Sequence, residues 1–97
     1  MTIRIRSHAE LEYSEAITFY LSEHSPQSAE RFEREVDSAL EAILQNPLLY
    51  SLVDFNVRAK SLKYFPYSIL YSVDGDEIVV LAIAHQSRKP GYWRDRL

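Results

Sequence analysis

Cysteine is absent from the 97 residues, which removes disulfide frameworks, thiolate zinc sites and cysteine nucleophiles together. Glycine and proline are scarce, at two and four residues, so neither a flexible linker nor a glycine-rich phosphate loop is available. No apolar run approaches the roughly 20 residues of a membrane span. No signal-peptide core follows Met1–Arg6. Nucleophile elbows and paired catalytic carboxylates are missing, and neither His8 nor His24 has ligand-type spacing to an acidic cluster. These absences point to a soluble, cytoplasmic protein with no membrane partner, no metal and no cofactor.

What remains is enough for one packed domain over residues 1–97, since 46% of the chain is apolar. Net charge is −3 and unevenly placed. Met1–Tyr50 carries 4 basic and 9 acidic residues, whereas Ser51–Leu97 carries 7 and 5. An acidic balance argues against general nucleic-acid binding. Any anionic partner would meet the C-terminal half.

The chain reads as β-α-α-β-β-β. Ile3 and Ile5 alternate with Arg4 and Arg6, a short half-buried strand. Ser7-His8-Ala9-Glu10 matches a capping box, opening a helix over Ser7–Glu23 with Ala9, Tyr13, Ala16, Ile17 and Tyr20 inward and Glu10, Glu12 and Glu15 outward. Ser25-Pro26 starts a second helix, over Ser25–Gln45, with Ala29, Phe32, Val36, Leu40, Ile43 and Leu44 on its apolar stripe and Asn46-Pro47 as its stop. Leu48–Asn56 has no clear period and reads as a loop, with Leu49, Tyr50 and Leu52 tucked beneath the core. Val57–Tyr64 is a basic strand whose pattern leaves the face of Arg58 open. Tyr67–Val73 and Ile78–Ala84 form a hairpin about Asp74-Gly75, read as a two-residue type I′ turn.

That turn sets Tyr71 opposite Ile78 and Ile69 opposite Val80. Tyr67, Ile69 and Tyr71 then share one face, and His85 falls in phase with Val79, Leu81 and Ile83 on the other. The fold class is therefore α+β, a helical hairpin on one face of a mostly antiparallel sheet. Tyr13, Ile17, Phe32, Val36, Leu40, Ile69 and Val80 should form its core. Leu70, Val79, Leu81 and Ile83 would leave an apolar strip on the uncovered face, the mark of a partner surface.

His85 at a strand end is a candidate general base. Arg58, Lys60, Lys63, Arg88, Lys89, Arg94 and Arg96 supply cations for phosphate contacts, and Tyr64, Tyr92 and Trp93 are aromatic surfaces for stacking. A solvated strand face with a charged tail, and a histidine hydrogen-bonded at the sheet edge, explain the same residues.

The order Ala9–Tyr20, then Phe32…Val36-Asp37…Leu40…Ile43…Asn46-Pro47, then Arg58…Leu62…Phe65-Pro66-Tyr67…Ile69…Tyr71 resembles toxins of the RelE/ParE superfamily. The ending Val80-Leu81-Ala82-Ile83-Ala84-His85…Arg88…Pro90-Gly91-Tyr92-Trp93 completes the likeness, and the acidic pI of about 5.5 looks more like the ParE side. That resemblance implies the toxin of a bacterial type II toxin–antitoxin system, of the kind linked to plasmid stabilisation and growth arrest. It would inhibit DNA gyrase and form a hetero-oligomer with a cognate antitoxin. The strip Leu70, Val79, Leu81 and Ile83 would bind that antitoxin, with Lys63, Arg88 and Arg94 at its rim. The alternative is a RelE-like endoribonuclease that cuts mRNA on the ribosome, with Arg58, Lys60, His85, Arg88 and Tyr92 as its catalytic set. A third reading is a non-toxic module that binds the antitoxin or autoregulates.

Overall fold

The computed structural model describes all of Met1–Leu97. Seven regular elements precede a 3₁₀ turn at Arg94–Arg96. They are β1 (Thr2–Ile5), α1 (Ser7–Glu23), α2 (Pro26–Gln45), β2 (Leu52–Asp54), β3 (Val57–Ser61), β4 (Tyr67–Asp74) and β5 (Glu77–His85). The sheet runs β1-β5-β4-β3-β2, antiparallel except for the parallel β1–β5 pair. β5 is thus flanked on both sides, consistent with its apolar sequence. The helical hairpin covers one face.

Local chemistry accounts for most boundaries. The Ser25 hydroxyl accepts from the Ser28 N–H at 3.1 Å and Pro26 takes the first helical position. Ser7, by contrast, does not cap α1. The cap is Arg6, extended and with no side-chain bond, because its N–H donates to Val80 O at 3.0 Å and strand pairing runs directly into the helix. The segment expected to be a loop contains the short edge strand β2, and only Tyr50 packs against the core there. Leu49 and Leu52 are exposed.

The hairpin register differs from the two-residue Asp74-Gly75 reading. Asp74 pairs with Glu77, so Gly75 and Asp76 are the central residues. Gly75 has φ +60° while Asp76 does not enter positive φ, the signature of a II′ turn rather than I′. A β-bulge then falls where Leu70 pairs with Ala82 but Tyr71 pairs with Val80, leaving Leu81 extra. This one residue inverts the alternation beyond it. Ile83 pairs with Ile69 and His85 with Tyr67, both turned toward the helices.

The main core joins Ala9, Ala16 and Tyr20 of α1 to Phe32, Val36 and Ile43 of α2 and to Ile69, Tyr71, Ile78, Val80 and Ile83 of the sheet. Tyr13, Ile17 and Leu40 pack on it from partly buried positions. Ile69→Ala should therefore cost about 2–5 kcal/mol in urea unfolding, whereas Leu11→Ala at an exposed helix position should stay within about 0.5 kcal/mol. Equal effects at the two sites would refute this placement of the core.

Candidate functional site

On the opposite sheet face lies a second apolar cluster of Val57, Leu70, Val79, Leu81, Ala82 and Trp93, with Ala59, Ala84 and Tyr92 packed on it. The strip read as wet is therefore covered by the chain's own C-terminal segment. Leu70, Val79 and Leu81 are 2–6% exposed, and the Trp93 indole that caps them is 5% exposed. Ile83 leaves the strip altogether because the bulge turns it to the helix side.

The tail is anchored by a carboxylate assigned above to the wet face of the first helix. Glu12 is only 10% exposed at its side chain. Its Oε1 accepts from the Ile83 N–H at 3.0 Å and from Arg96 Nη1 at 2.8 Å. Its Oε2 accepts from the Tyr92 hydroxyl at 2.6 Å and from Arg96 Nη2 at 3.2 Å. The Tyr92 ring stacks against two guanidinium groups, Arg88 at 3.9 Å and Arg96 at 4.9 Å from its centroid. Burial first, and then the hydrogen bond to Glu12, raise the Tyr92 phenol far above its ordinary value. It stays protonated at any physiological pH.

Gly91 shapes the same turn. Its φ is +78°, and a Cβ there would collide with the Arg94 guanidinium. That guanidinium passes over the glycine to Asp54, its Nε donating to Oδ2 at 2.6 Å. The hydrogen bond from Arg94, aided by the Phe55 N–H, holds the Asp54 carboxyl below the usual carboxylate range.

The other expected site residues are dispersed. Arg58 lies on the helix side of β3 and donates to Leu48 O at 3.0 Å and Tyr50 O at 2.7 Å, stapling the loop after α2. Lys60 sits 5.2 Å from the Tyr50 ring centroid, and Lys63 the same distance from that of Tyr64. His85 packs edge-on against Tyr67 at 5.0 Å, and its Nδ1 accepts the Ser87 N–H at 3.0 Å. In the neutral ring the proton is then on Nε2, and the nitrogen lone pair of a general base is already engaged. An open cleft of about 320 Å³ lies beside it, lined by Glu12, Glu15, Phe19, Tyr67, His85 and Arg88 among others. His85, Arg88 and Tyr92 thus gather near Glu12, while Arg58 and Lys60 serve a different part of the sheet.

Glu12 is the residue that sequence reasoning missed, and Arg96, read from the sequence only as a cation for phosphate contacts, is its partner. A signal existed for Glu12. It stands three residues after Ala9 and four before Ala16, both buried, so helical phase places it on the inner edge of α1. Nothing in the sequence marked Arg96 as its partner.

The family described as "ParE toxin of type II toxin-antitoxin system, parDE" matches residues 3–90. The match ends just before Tyr92, Trp93 and Arg96. No curated protein matches the chain. Among solved structures, one titled "Chromosomal ParDE TA system from P. aeruginosa" superposes with a TM-score of 0.78 at 19% identity, over 88% of this chain and 95% of that one. At that identity the likeness speaks for the fold.

Two outcomes follow from the clamp. Tyr92→Phe removes a hydrogen bond to a charged acceptor and should cost about 1.5–3 kcal/mol; the emission of Trp93, the only tryptophan, should shift to the red as the tail loosens. An unshifted spectrum with full stability would show that the tail does not depend on Glu12. For Asp54, whose folded pKa is depressed, the stabilising contribution is complete above the unfolded value of about 4. It is lost as pH falls through the lower folded value. Arg94→Ala should reduce that acid-side loss to the smaller part sustained by the Phe55 N–H, measured as the difference between the two proteins' pH–stability curves.

Proposed function

The chain belongs to the ParE toxin family of type II toxin–antitoxin systems, and we propose that it arrests growth by binding DNA gyrase and is neutralised by a cognate antitoxin. The observation that carries a binding mechanism over bond-making chemistry is how the polar side chains are spent. Tyr92 is a protonated donor to Glu12, the Nδ1 lone pair of His85 is taken by Ser87, and Arg58 holds two loop carbonyls. A nuclease of this fold would need such groups converging on one phosphate, with cations near its developing charge and a free base beside it.

The antitoxin is assigned to surface that is open on this chain. The cleft along α1 offers Phe19, Tyr67 and His85 with Arg88 at its mouth. The strip of Leu70, Val79 and Leu81 would be reached only by lifting Trp93. Arg94 borders that strip beside Leu70 and Trp93 and must release Asp54 to meet an acidic antitoxin side chain, whereas Lys63 lies away from it, beside Glu35, Ser38 and Ala39 of α2. Such residues steer association more than they tighten it.

Purified chain added to gyrase, ATP and plasmid should accumulate cleaved, gyrase-linked DNA, and its expression should induce the SOS response without cuts in ribosome-bound mRNA. His85→Ala should leave that activity within about twofold, since a residue outside the chemistry carries none of the 10²–10⁴-fold of a general base. Cleavage of mRNA at the ribosome, lost with His85→Ala, would instead establish the endoribonuclease reading.

A further inference from the structure

A slot opens between the two helices near the free ends of their hairpin. Its volume is about 270 Å³, and its apolar walls come from four elements: Ile5 of β1, Ala9 and Tyr13 of α1, Val36 and Leu40 of α2, and Ile83 of β5. Ala9, Val36 and Ile83 belong to the main core, so the slot reaches down to the packed interior. The bulge at Leu81 is what turns Ile83 to this side. Water held against such walls has few hydrogen-bond partners, and an apolar group that displaces it gains free energy.

The mouth is polar and mostly of one sign. Glu10, Ser14 and Asp37 line the same slot from exposed positions. Glu33 stands one helical turn before Asp37. Burial first, and then the Glu33 and Asp37 carboxylates, raise the Tyr13 phenol above its ordinary value. The four ion pairs of the chain join Arg4 to Glu77, Arg88 and Arg96 to Glu12, and Arg94 to Asp54. Glu10, Glu33 and Asp37 therefore have no cation of their own. Basic neighbours do not cancel them. Arg4 and Arg6 flank Ile5 in extended chain and project from the opposite face. Arg34, three residues before Asp37, still leaves the mouth with three carboxylates to one guanidinium.

We propose that this slot is a binding site for a small amphiphilic cation, an aromatic or branched aliphatic body that carries one protonated amine. The body packs on Ala9, Val36, Leu40 and Ile83, and the ammonium lies at the mouth with Glu10 and Asp37, beside the Tyr13 ring. Charge selects this class. An anion is repelled, and a neutral body leaves the carboxylates unanswered. A second copy of the chain would bring like charge, since Met1–Tyr50 carries 9 acidic and 4 basic residues. Size selects it too. Pockets for drug-sized ligands run from about 300 to 1,000 Å³, so this slot holds a fragment rather than a helix or a strand. The inference is independent of the toxin's target.

Phenethylamine, phenethyl alcohol and phenylacetate share an aromatic body and differ in the charge at its end. Each is titrated into the full chain at about pH 8, where His8 is neutral. The amine should bind with a dissociation constant of about 0.1–10 mM, the range for a fragment of its size. The alcohol should bind about three- to tenfold more weakly, the effect of one or two partly exposed ion pairs, and the acid should not bind. Methyl NMR signals of Ile5, Leu40 and Ile83 should follow the amine titration. Asp37→Asn should weaken the amine about threefold and leave the alcohol unchanged. Asp76→Asn, the same charge change in the β4–β5 turn, should alter neither. Ser14→Trp, at an exposed position of the mouth, should block both ligands with an unchanged circular dichroism spectrum. Equal binding of the three compounds, shifts confined to the Phe19–Tyr67 cleft, or equal responses to Asp37→Asn and Asp76→Asn would overturn the proposal. So would methyl groups that ignore the amine yet shift with an arginine-rich peptide, which would assign the slot to a protein partner.

Discussion

A single carboxylate ties the two ends of the chain together. Glu12 leaves the first helix, reaches past the end of the central strand and collects the Tyr92 hydroxyl, the Arg96 guanidinium and the Ile83 N–H within a space that is nearly dry. A carboxylate so placed is tolerable only when its lone pairs are filled, because an unpaired buried charge costs several kcal/mol. The dependence runs both ways. Arg96 and Tyr92 are ordered by Glu12, and Trp93, between them in the chain, is thereby pressed onto Leu70, Val79 and Leu81.

The consequence is a sheet with both faces covered, by two helices on one side and by seven terminal residues on the other. That resolves how strand β5 can be apolar throughout in a chain of this size. Tail closure also uses up side chains that would otherwise be available for chemistry. Tyr92 and Arg96 are committed to structure, and Gly91 exists in its left-handed conformation so that Arg94 can cross to Asp54. What is left open is the aromatic cleft along α1 and the apolar edge at β2.

Much of the architecture is local, and the sequence by itself determined it. Apolar residues at helical spacing from Ala29 to Leu44, the Ser25-Pro26 start, the Asn46-Pro47 stop and the β-rich runs on either side of Gly75 each act within a few positions of themselves. Those signals place two helices, the long hairpin and its central strand. They also fix the ordered series of fragments that resembles the family to which the chain belongs. The paired helices and the mostly antiparallel sheet follow from burying the stripes so defined.

Tertiary structure decided what period and propensity leave degenerate. The bulge at Leu81 depends on how β4 and β5 settle across from each other, and one inserted residue exchanged the faces of Ile83 and His85, because side-chain alternation has a period of two. Glu12 reads as a solvated helix residue until Arg96, 84 positions later, arrives beside it. Whether Leu70, Val79 and Leu81 are wet or dry turns on the path of a tail that carries no periodic signal. Contacts between residues far apart in the chain have no local signature, since the free energy that selects them is realised only once the sheet and helices are already packed.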